Sequence, residues 1–378
     1  MFVCNDYILN GQGHGEFGQA LDQVRYDPGL LRPYVDEQGR SCVTMNVRGK
    51  PQQFTVNELI SRGIQSPVFN ATSLRKDEWI RMDQVVLRAV RERLRAWADL
   101  AAANSFGGFD GMSKMVLEHE TMSDPGEALV DMDGITEGRT DSPLYQLQGL
   151  PLPITHSSFW FSARRLAVSR NTGTPLDTTM AEACGRRVAE MIERTTIGSV
   201  TGVTYGNASQ YGRTPTVYGY TNFPARITKT DLTTPTGSNP DATVADVLDM
   251  RDSMYDQGFY GPFMLYTSRD WDKYLDNDYY VLTTSGATAP SKTLRTRLRE
   301  IEGVQDIRRL DFFNSTFSMV MVQMTSDVAR AVIGLNPTTV QWETKGGSQV
   351  HFRVMAIMVP QLRADYNDKC GVLHATTA

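Results

Sequence analysis

Gly13-His-Gly-Glu-Phe-Gly18 matches the GxGxxG spacing with which a backbone wraps a pyrophosphate, and strand-like Tyr7-Ile-Leu9 precedes it. A dinucleotide fingerprint also requires a crossover helix and a second parallel strand. Only about eight residues follow before Asp27-Pro28 breaks any helix, so a flexible glycine arm is the preferred reading. Asp131-Met-Asp-Gly134 and Asp276-Asn-Asp278 resemble the front of a calcium loop but lack the remaining ligands, and read as turns. The histidines (His14, His119, His156, His351, His374) form no HxH or HExxH pair and read as solitary surface or interface residues. Gly49-Lys50 is followed by Pro51 instead of the hydroxyl that would hold magnesium, and no GxSxG elbow occurs. No catalytic, cofactor or metal residues are predicted, and the chain is expected not to be an enzyme. Phe159-Trp160-Phe161 with Arg164-Arg165 has two readings. One is a strand packed on its own domain's core. The preferred one is an inter-subunit contact, because aromatic residues and arginine are the types favoured at interface hot spots.

The elements around these residues are legible in the periodicity. Residues 1–76 hold clustered glycines, an Asp27-Pro-Gly29 turn and short β-prone pieces (41–47, 53–56), which predicts an extended arm that must lie on something else. From Asp77 to Asn104, Trp79, Met82, Val86, Val90, Leu94 and Trp97 make one helical stripe, ended by Gly107-Gly108. A strand is predicted at 114–121 and a turn at Asp124-Pro-Gly126. A long β-hairpin follows over 125–172, with its core at 157–168. Thr174 and Pro175 then open a helix that Gly198 closes, with Asp177 in its first turn. Its stripe is Leu176, Met180, Cys184, Val188, Met191 or Ile192, and Thr195, and Glu182, Arg186, Glu190 and Arg194 form a charged face.

Residues 199–240 read as a loop-rich connection, and an αβ lobe starts near Asp241. In it, a helix over 244–254 stops at Gly258, a buried strand spans 263–266, and Ser268 caps a short helix with Trp271, Tyr274 and Leu275. A basic helix is predicted at 294–301, with strands at 307–310, 317–324, 329–333 and 350–359. Pro360 is expected to interrupt the last at a sheet edge.

At 378 residues, the chain has room for two lobes plus appendages. Hydrophobic content of 40%, charged content of 21% and a net charge of -5 describe an ordinary soluble protein, and argue against a dedicated nucleic-acid binder. The scattered cysteines (Cys4, Cys42, Cys184, Cys370) form no CxxC, so reduced thiols are expected, without disulfide or zinc. Neither a signal peptide nor a membrane span is predicted, and an intracellular site of synthesis is expected.

The order of these elements resembles the Hong Kong 97-type shell proteins, the α+β fold of tailed-phage major capsid proteins and encapsulins. The residues that carry it are Leu150-Pro-Leu-Pro-Ile154, Phe159-Trp-Phe161, Thr174-Pro-Leu-Asp177 and 181–193. Further on, Gly258-Phe-Tyr-Gly-Pro-Phe-Met-Leu-Tyr266, 271–275 and 353–359 continue the resemblance. It implies an N-terminal arm (1–76), a peripheral (P) domain part (77–124) and an extended hairpin or E-loop (125–172). It further implies a spine helix with connection (173–240), an axial (A) domain (241–349) and a closing P-domain segment (350–378). By this resemblance the chain is a structural subunit of an icosahedral phage capsid. Hexamers and pentamers of itself would enclose double-stranded DNA without sequence-specific binding or any membrane. Scaffolding, portal and decoration proteins are further partners it implies, with assembly in the host bacterial cytoplasm. The long front end and the 199–240 segment favour the phage branch over an encapsulin enclosing an enzyme cargo. A soluble α/β enzyme with its site in 241–349 is the rival outside the fold. No lysine lies between Lys114 and Lys229, so the covalent hairpin cross-link of some relatives is not expected. With Met1 present, a cleaved N-terminal scaffolding segment is not expected either.

Overall fold

The computed structural model describes residues 7–9, 12–14, 32–36, 38–47, 50–61, 74–123, 130, 132–133, 142, 144–171, 178–211, 213–236, 239–279, 292–345 and 347–377. In chain order its main elements begin with strands β1 (Ser41–Val47) and β2 (Lys50–Thr55) and helices α1 (Val56–Ser61), α2 (Lys76–Arg93) and α3 (Ala96–Ala103). Next come β3 (Val116–Met122), β4 (Tyr145–Pro151), β5 (Thr155–Ser162), α4 (Ala163–Asn171) and α5 (Thr179–Ile197). The remainder is β6 (Ile227–Leu232), α6 (Pro240–Asp256), β7 (Phe263–Ser268), α7 (Leu294–Arg299), β8 (Val304–Leu310), β9 (Met319–Gln323), β10 (Ala329–Thr344), β11 (Gln349–Leu362) and β12 (Val372–Thr377). None of the described helices is long and apolar enough to cross a membrane.

All six residues of the predicted 77–104 stripe are buried, but the helix is two helices broken at Leu94-Arg95. The break has a cause on the neighbouring helix. The buried carboxylate of Glu193 on α5 accepts hydrogen bonds from the Ala96 and Trp97 N–H groups at 2.7 and 3.2 Å, which starts α3 afresh. The stripe of α5 is also rotated from expectation. Cys184, Val188 and Ile192 are buried, whereas Met180 and Met191 are exposed and Ala181, Gly185 and Ala189 face inward. Small residues sit there because the helices touch: a Cβ on Gly185 would lie 3.3 Å from the Val86 carbonyl oxygen. Gly198 ends the helix at φ 90°, a left-handed cap that glycine adopts without strain. On the outer face Arg186 pairs with Glu182 at 3.1 Å, while Arg194 lies over the Phe312 ring instead of pairing with Glu190. The expected caps Thr174, Pro175 and Asp177 lie outside the described residues.

α2 and α5 cover one face of an antiparallel sheet in the order β5-β11-β10, to which residues 105–106 add in parallel. The second sheet runs β6-β12-β9-β7-β8. Every residue of β7 and β9 is buried, because α6 and α7 cover one face and residues of the first core cover the other. The two halves are joined by a polar contact: Tyr266 Oη on β7 donates to Asp99 on α3 at 3.2 Å, and Arg308 on β8 pairs with the same carboxylate.

The expected boundary at 349 falls at the first residue of β11, just past the turn from β10, although the two strands pair along almost their whole length. β10 thus leaves the expected axial segment, and β12 leaves the expected closing segment to insert between β6 and β9. β11 also runs through Pro360, which pairs with Ala331 beyond the end of β5, where its missing N–H costs no ladder bond.

The arm is corrected in part. Its strands β1 and β2 form a small sheet with residues 34–35 and 74–75, and Tyr34, Cys42 and Leu74 enter the main core. Trp79 Nε1 donates to the Pro33 carbonyl at 3.0 Å, and Arg32 pairs with Asp83. This part of the arm therefore lies on α2 of its own chain. The Asp27-Pro-Gly29 and Asp124-Pro-Gly126 turns are outside the described residues, as are Asp131, Gly134 and Gly15 to Gly18.

Candidate functional site

The expected hairpin is displaced along the sequence. β3 pairs antiparallel with β4, from Val116 opposite Pro151 to Met122 opposite Tyr145. The segment taken as its core, 157–168, is instead the edge strand β5 followed by helix α4. Aromatic and β-branched content suggested strand throughout, yet Ala163-Arg-Arg-Leu-Ala167 is equally good helix sequence, and Ser162 Oγ accepts from the Arg165 N–H at 3.3 Å at its start.

The hairpin root is well held. Leu150 and Leu152 enter a small core with Val217, Val332 and Ile357, and Tyr211 Oη donates to Glu118 at 2.8 Å. His119 lies there beside a cavity of about 30 Å³ that Gln148, Arg213 and Gln361 also line, room for about one water. Neither of its ring nitrogens is hydrogen-bonded within the described residues. Burial, then the charges of Arg363, Arg213 and Arg330, push its pKa down to about 4. The distal end differs: Met122, Leu144 and Tyr145 are 54, 58 and 64% exposed and belong to none of the cores.

Strand alternation divides the expected contact residues. Phe159 and Phe161 point inward onto Phe352, the first stacked at 5.2 Å between ring centroids and the second edge-on at 6.0 Å, with Trp79 behind. They are 4 and 6% exposed, so the reading of these two as inter-subunit contacts is corrected: they fill their own core. Trp160, 54% exposed, faces outward, and Arg164 and Arg165 are exposed.

The same outer face holds residues that sequence reasoning passed over. The register sets Trp160 opposite His351, and His351 opposite Trp342. His351 stacks on Trp342 at 5.3 Å with 14° between planes, and the Arg353 guanidinium lies 5.0 Å from the Trp342 ring centre. Thr344 Oγ1 and His351 Nε2 are 2.8 Å apart, and Arg353 Nε donates to Ser158 Oγ at 3.1 Å. The available signal was alternation: Trp160 stands between apolar Phe159 and Phe161, and His351 and Arg353 flank apolar Phe352.

The histidines are corrected too. His119 is mostly buried at the hairpin root, and His374 is largely buried, its Nε2 2.8 Å from the inaccessible Ser318 Oγ. Burial pushes the pKa of His374 down to about 4. Ser268 stands at the expected cap position, but its Oγ accepts from the Ser318 N–H instead. Asp276 binds Arg295 at 2.9 Å. Among the described residues no three His, Cys, Asp or Glu side chains gather as a metal site.

Comparisons with known proteins fit this architecture. The chain is similar in structure to the virus-like particle from Pyrococcus furiosus, at 15% identity over 79% of this chain and 98% of that one, with a TM-score of 0.51. It is similar to the capsid of Myoviridae phage XM1, at 11% identity over 73 and 90% of the two chains, with a TM-score of 0.52. The capsid of the native GTA particle matches at 10% identity over 75 and 91%, with a TM-score of 0.51. No curated protein matches in sequence. A family model described as "Family of unknown function (DUF6260)" matches residues 70–375. The chain therefore belongs to that family, and its fold is the Hong Kong 97-type capsid fold.

Proposed function

We propose that this chain is a structural shell subunit, the major capsid protein of a tailed double-stranded DNA phage. It assembles through hexamers and pentamers of itself into an icosahedral shell. The observation that carries the reading is the β3–β4 hairpin on this fold, whose end exposes Met122, Leu144 and Tyr145. A lone two-stranded ribbon is marginal in water, and clustered exposed apolar side chains mark a contact surface. A neighbouring copy supplies the cover, and repeated modest contacts of this kind close a shell.

On this reading β3–β4 is the extended loop. The β5-β11-β10 sheet with α2 and α5 forms the peripheral domain, and the five-stranded sheet forms the axial domain. DNA fills the shell without sequence-specific contacts, assembly takes place in the bacterial cytoplasm, and scaffolding, portal and decoration proteins complete the virion. A cargo-enclosing compartment is the weaker reading, since the long front end and the 199–240 segment resemble the phage branch, and two of the three similar structures above are the capsids of a phage and of the GTA particle. The test is negative-stain electron microscopy of the protein expressed alone and with its phage's scaffold. Closed shells are expected, and a strictly monomeric species under both conditions would overturn the proposal.

A further inference from the structure

The cavity at the hairpin root is surrounded by cationic and amide donors. His119 and Gln148, opposite each other across the β3–β4 pair, line it together with Arg213 and Gln361. The antiparallel register sets Gln361 on β11 opposite Arg330 on β10, so these two side chains share a face of the sheet. Val332 and Val359, a register pair two residues further along, pack on Leu150 and Leu152 at the same root. Arg363 follows Gln361 two residues on, and the charges of Arg213, Arg330 and Arg363 all act on the His119 ring.

No carboxylate lines the cavity to offset these cations. Glu118 is next to His119 in sequence, but alternation puts it on the other face of the hairpin. There it accepts from Tyr211 Oη and, at 3.4 Å, from Gln210 Nε2. Asp327, whose charge acts on Arg363, is exposed to solvent. Arg213 donates one N–H to Gln148 Oε1 at 2.8 Å, and Arg330 Nε donates to the Ser326 carbonyl. The other N–H groups of Arg213 and the N–H of His119, whose ring has no hydrogen bond among the described residues, remain as donors at the cavity. A water there accepts from two donors but leaves three like charges uncompensated. A negative ion answers both needs.

We infer that this cavity is a binding site for a small inorganic anion of chloride's size, held by Arg213 and His119 with the guanidinium groups of Arg330 and Arg363 nearby. The volume of about 30 Å³ selects a monatomic ion, because it has room for about one water and chloride is close to water in size. The ion ties together three segments distant in sequence: the hairpin, the stretch at Arg213 and the end of the β10–β11 pair. It thereby holds the hairpin root in place. The site lies within one chain and does not depend on the shell reading.

Hydrogen exchange of the β3–β4 amides in the unassembled full chain tests it, with sodium chloride replaced stepwise by sodium gluconate at constant ionic strength. An ion bound only to the closed root lowers the opening constant in proportion to its concentration once that exceeds Kd. Exchange should therefore slow about tenfold for each tenfold rise in chloride above Kd. Chloride NMR should show excess line broadening that bromide relieves by displacement, and phosphate, which is larger than the cavity, should neither protect nor displace. Arg213→Gln should abolish both signals. If that variant does not fold, Arg363→Gln decides instead. Its side chain is not part of the cavity wall, and its loss should raise Kd at least about threefold through charge alone. Equal exchange in chloride and gluconate overturns the inference, as does a chloride effect that survives the arginine substitution unchanged. Phosphate protecting better than chloride overturns the choice of ion. Protection spread evenly over the amides of both sheets is general salt action and overturns the site.

Discussion

Glu193 is an internal carboxylate whose cost depends on pH. Burial pushes its pKa up to about 7 against the pull of the Ala96 and Trp97 N–H donors. The folded state then binds a proton more tightly than the unfolded chain, where the value is near 4.5. Its contribution is most favourable below that value and declines as pH rises through about 7, by on the order of 3 kcal/mol. Glu193→Gln keeps one acceptor for α3 and removes the ionisation. Thermal melts of unassembled protein between pH 4.5 and 7.5 should fall for the wild type relative to the variant, and parallel curves would refute this account. His119 has the opposite sign. Its folded pKa of about 4 lies below the unfolded value of 6.5, so its contribution is complete above 6.5 and is lost as pH falls toward 4. His119→Leu should remove the acid-induced rise in hydrogen exchange at the β3–β4 amides, measured between pH 7 and pH 4.5 and corrected for intrinsic rates. Glu193 was legible in principle, since it repeats the inward positions of Gly185 and Ala189 at helical spacing. His119 was not, because nothing local in the sequence says that Arg213, Arg330 and Arg363 converge on it.

The buried face of a helical stretch is legible where bulky residues recur, as in Trp79 to Trp97, although the break at Leu94-Arg95 is not. It is misread where small residues make the contact, as in α5, whose inward face includes Ala181, Gly185 and Ala189. A hydrophobicity pattern weights Met180 above Gly185, yet backbone approach decides the orientation. Gly185→Leu should therefore push α5 off Val86 and lower the urea midpoint by the equivalent of about 2 kcal/mol, whereas Met180→Ala should change it little. Equal effects would mean that the contact relaxes freely. The strands show the converse limit. The 16-residue β10 and 14-residue β11 were seen only as shorter cores, because partner and register depend on residues distant in sequence.

The whole molecule has cores that do not depend on its hairpin, and this separates folding from assembly. The main core spans α2, α5 and the β5-β11 pair, and the second lies between α6, α7 and the mixed sheet. Only the hairpin root, through Leu150, Leu152 and Leu117, contributes to a third, smaller cluster. Replacing residues 122–145 by a two-residue Asn-Gly turn keeps the β3–β4 pairing from Thr121 opposite Gln146 inward and removes Met122, Leu144 and Tyr145 with the acidic end. The truncated chain should melt cooperatively within a few degrees of the unassembled parent, because none of the described residues that are removed belongs to a core. Electron microscopy should nevertheless show no closed shells at concentrations where the parent assembles. If the truncated chain assembled normally, the hairpin would be an ornament, and shell contacts would have to reside in the two packed halves. If it failed to fold, the hairpin would be a folding element of its own chain, and its exposed Met122, Leu144 and Tyr145 would need another explanation than a neighbour.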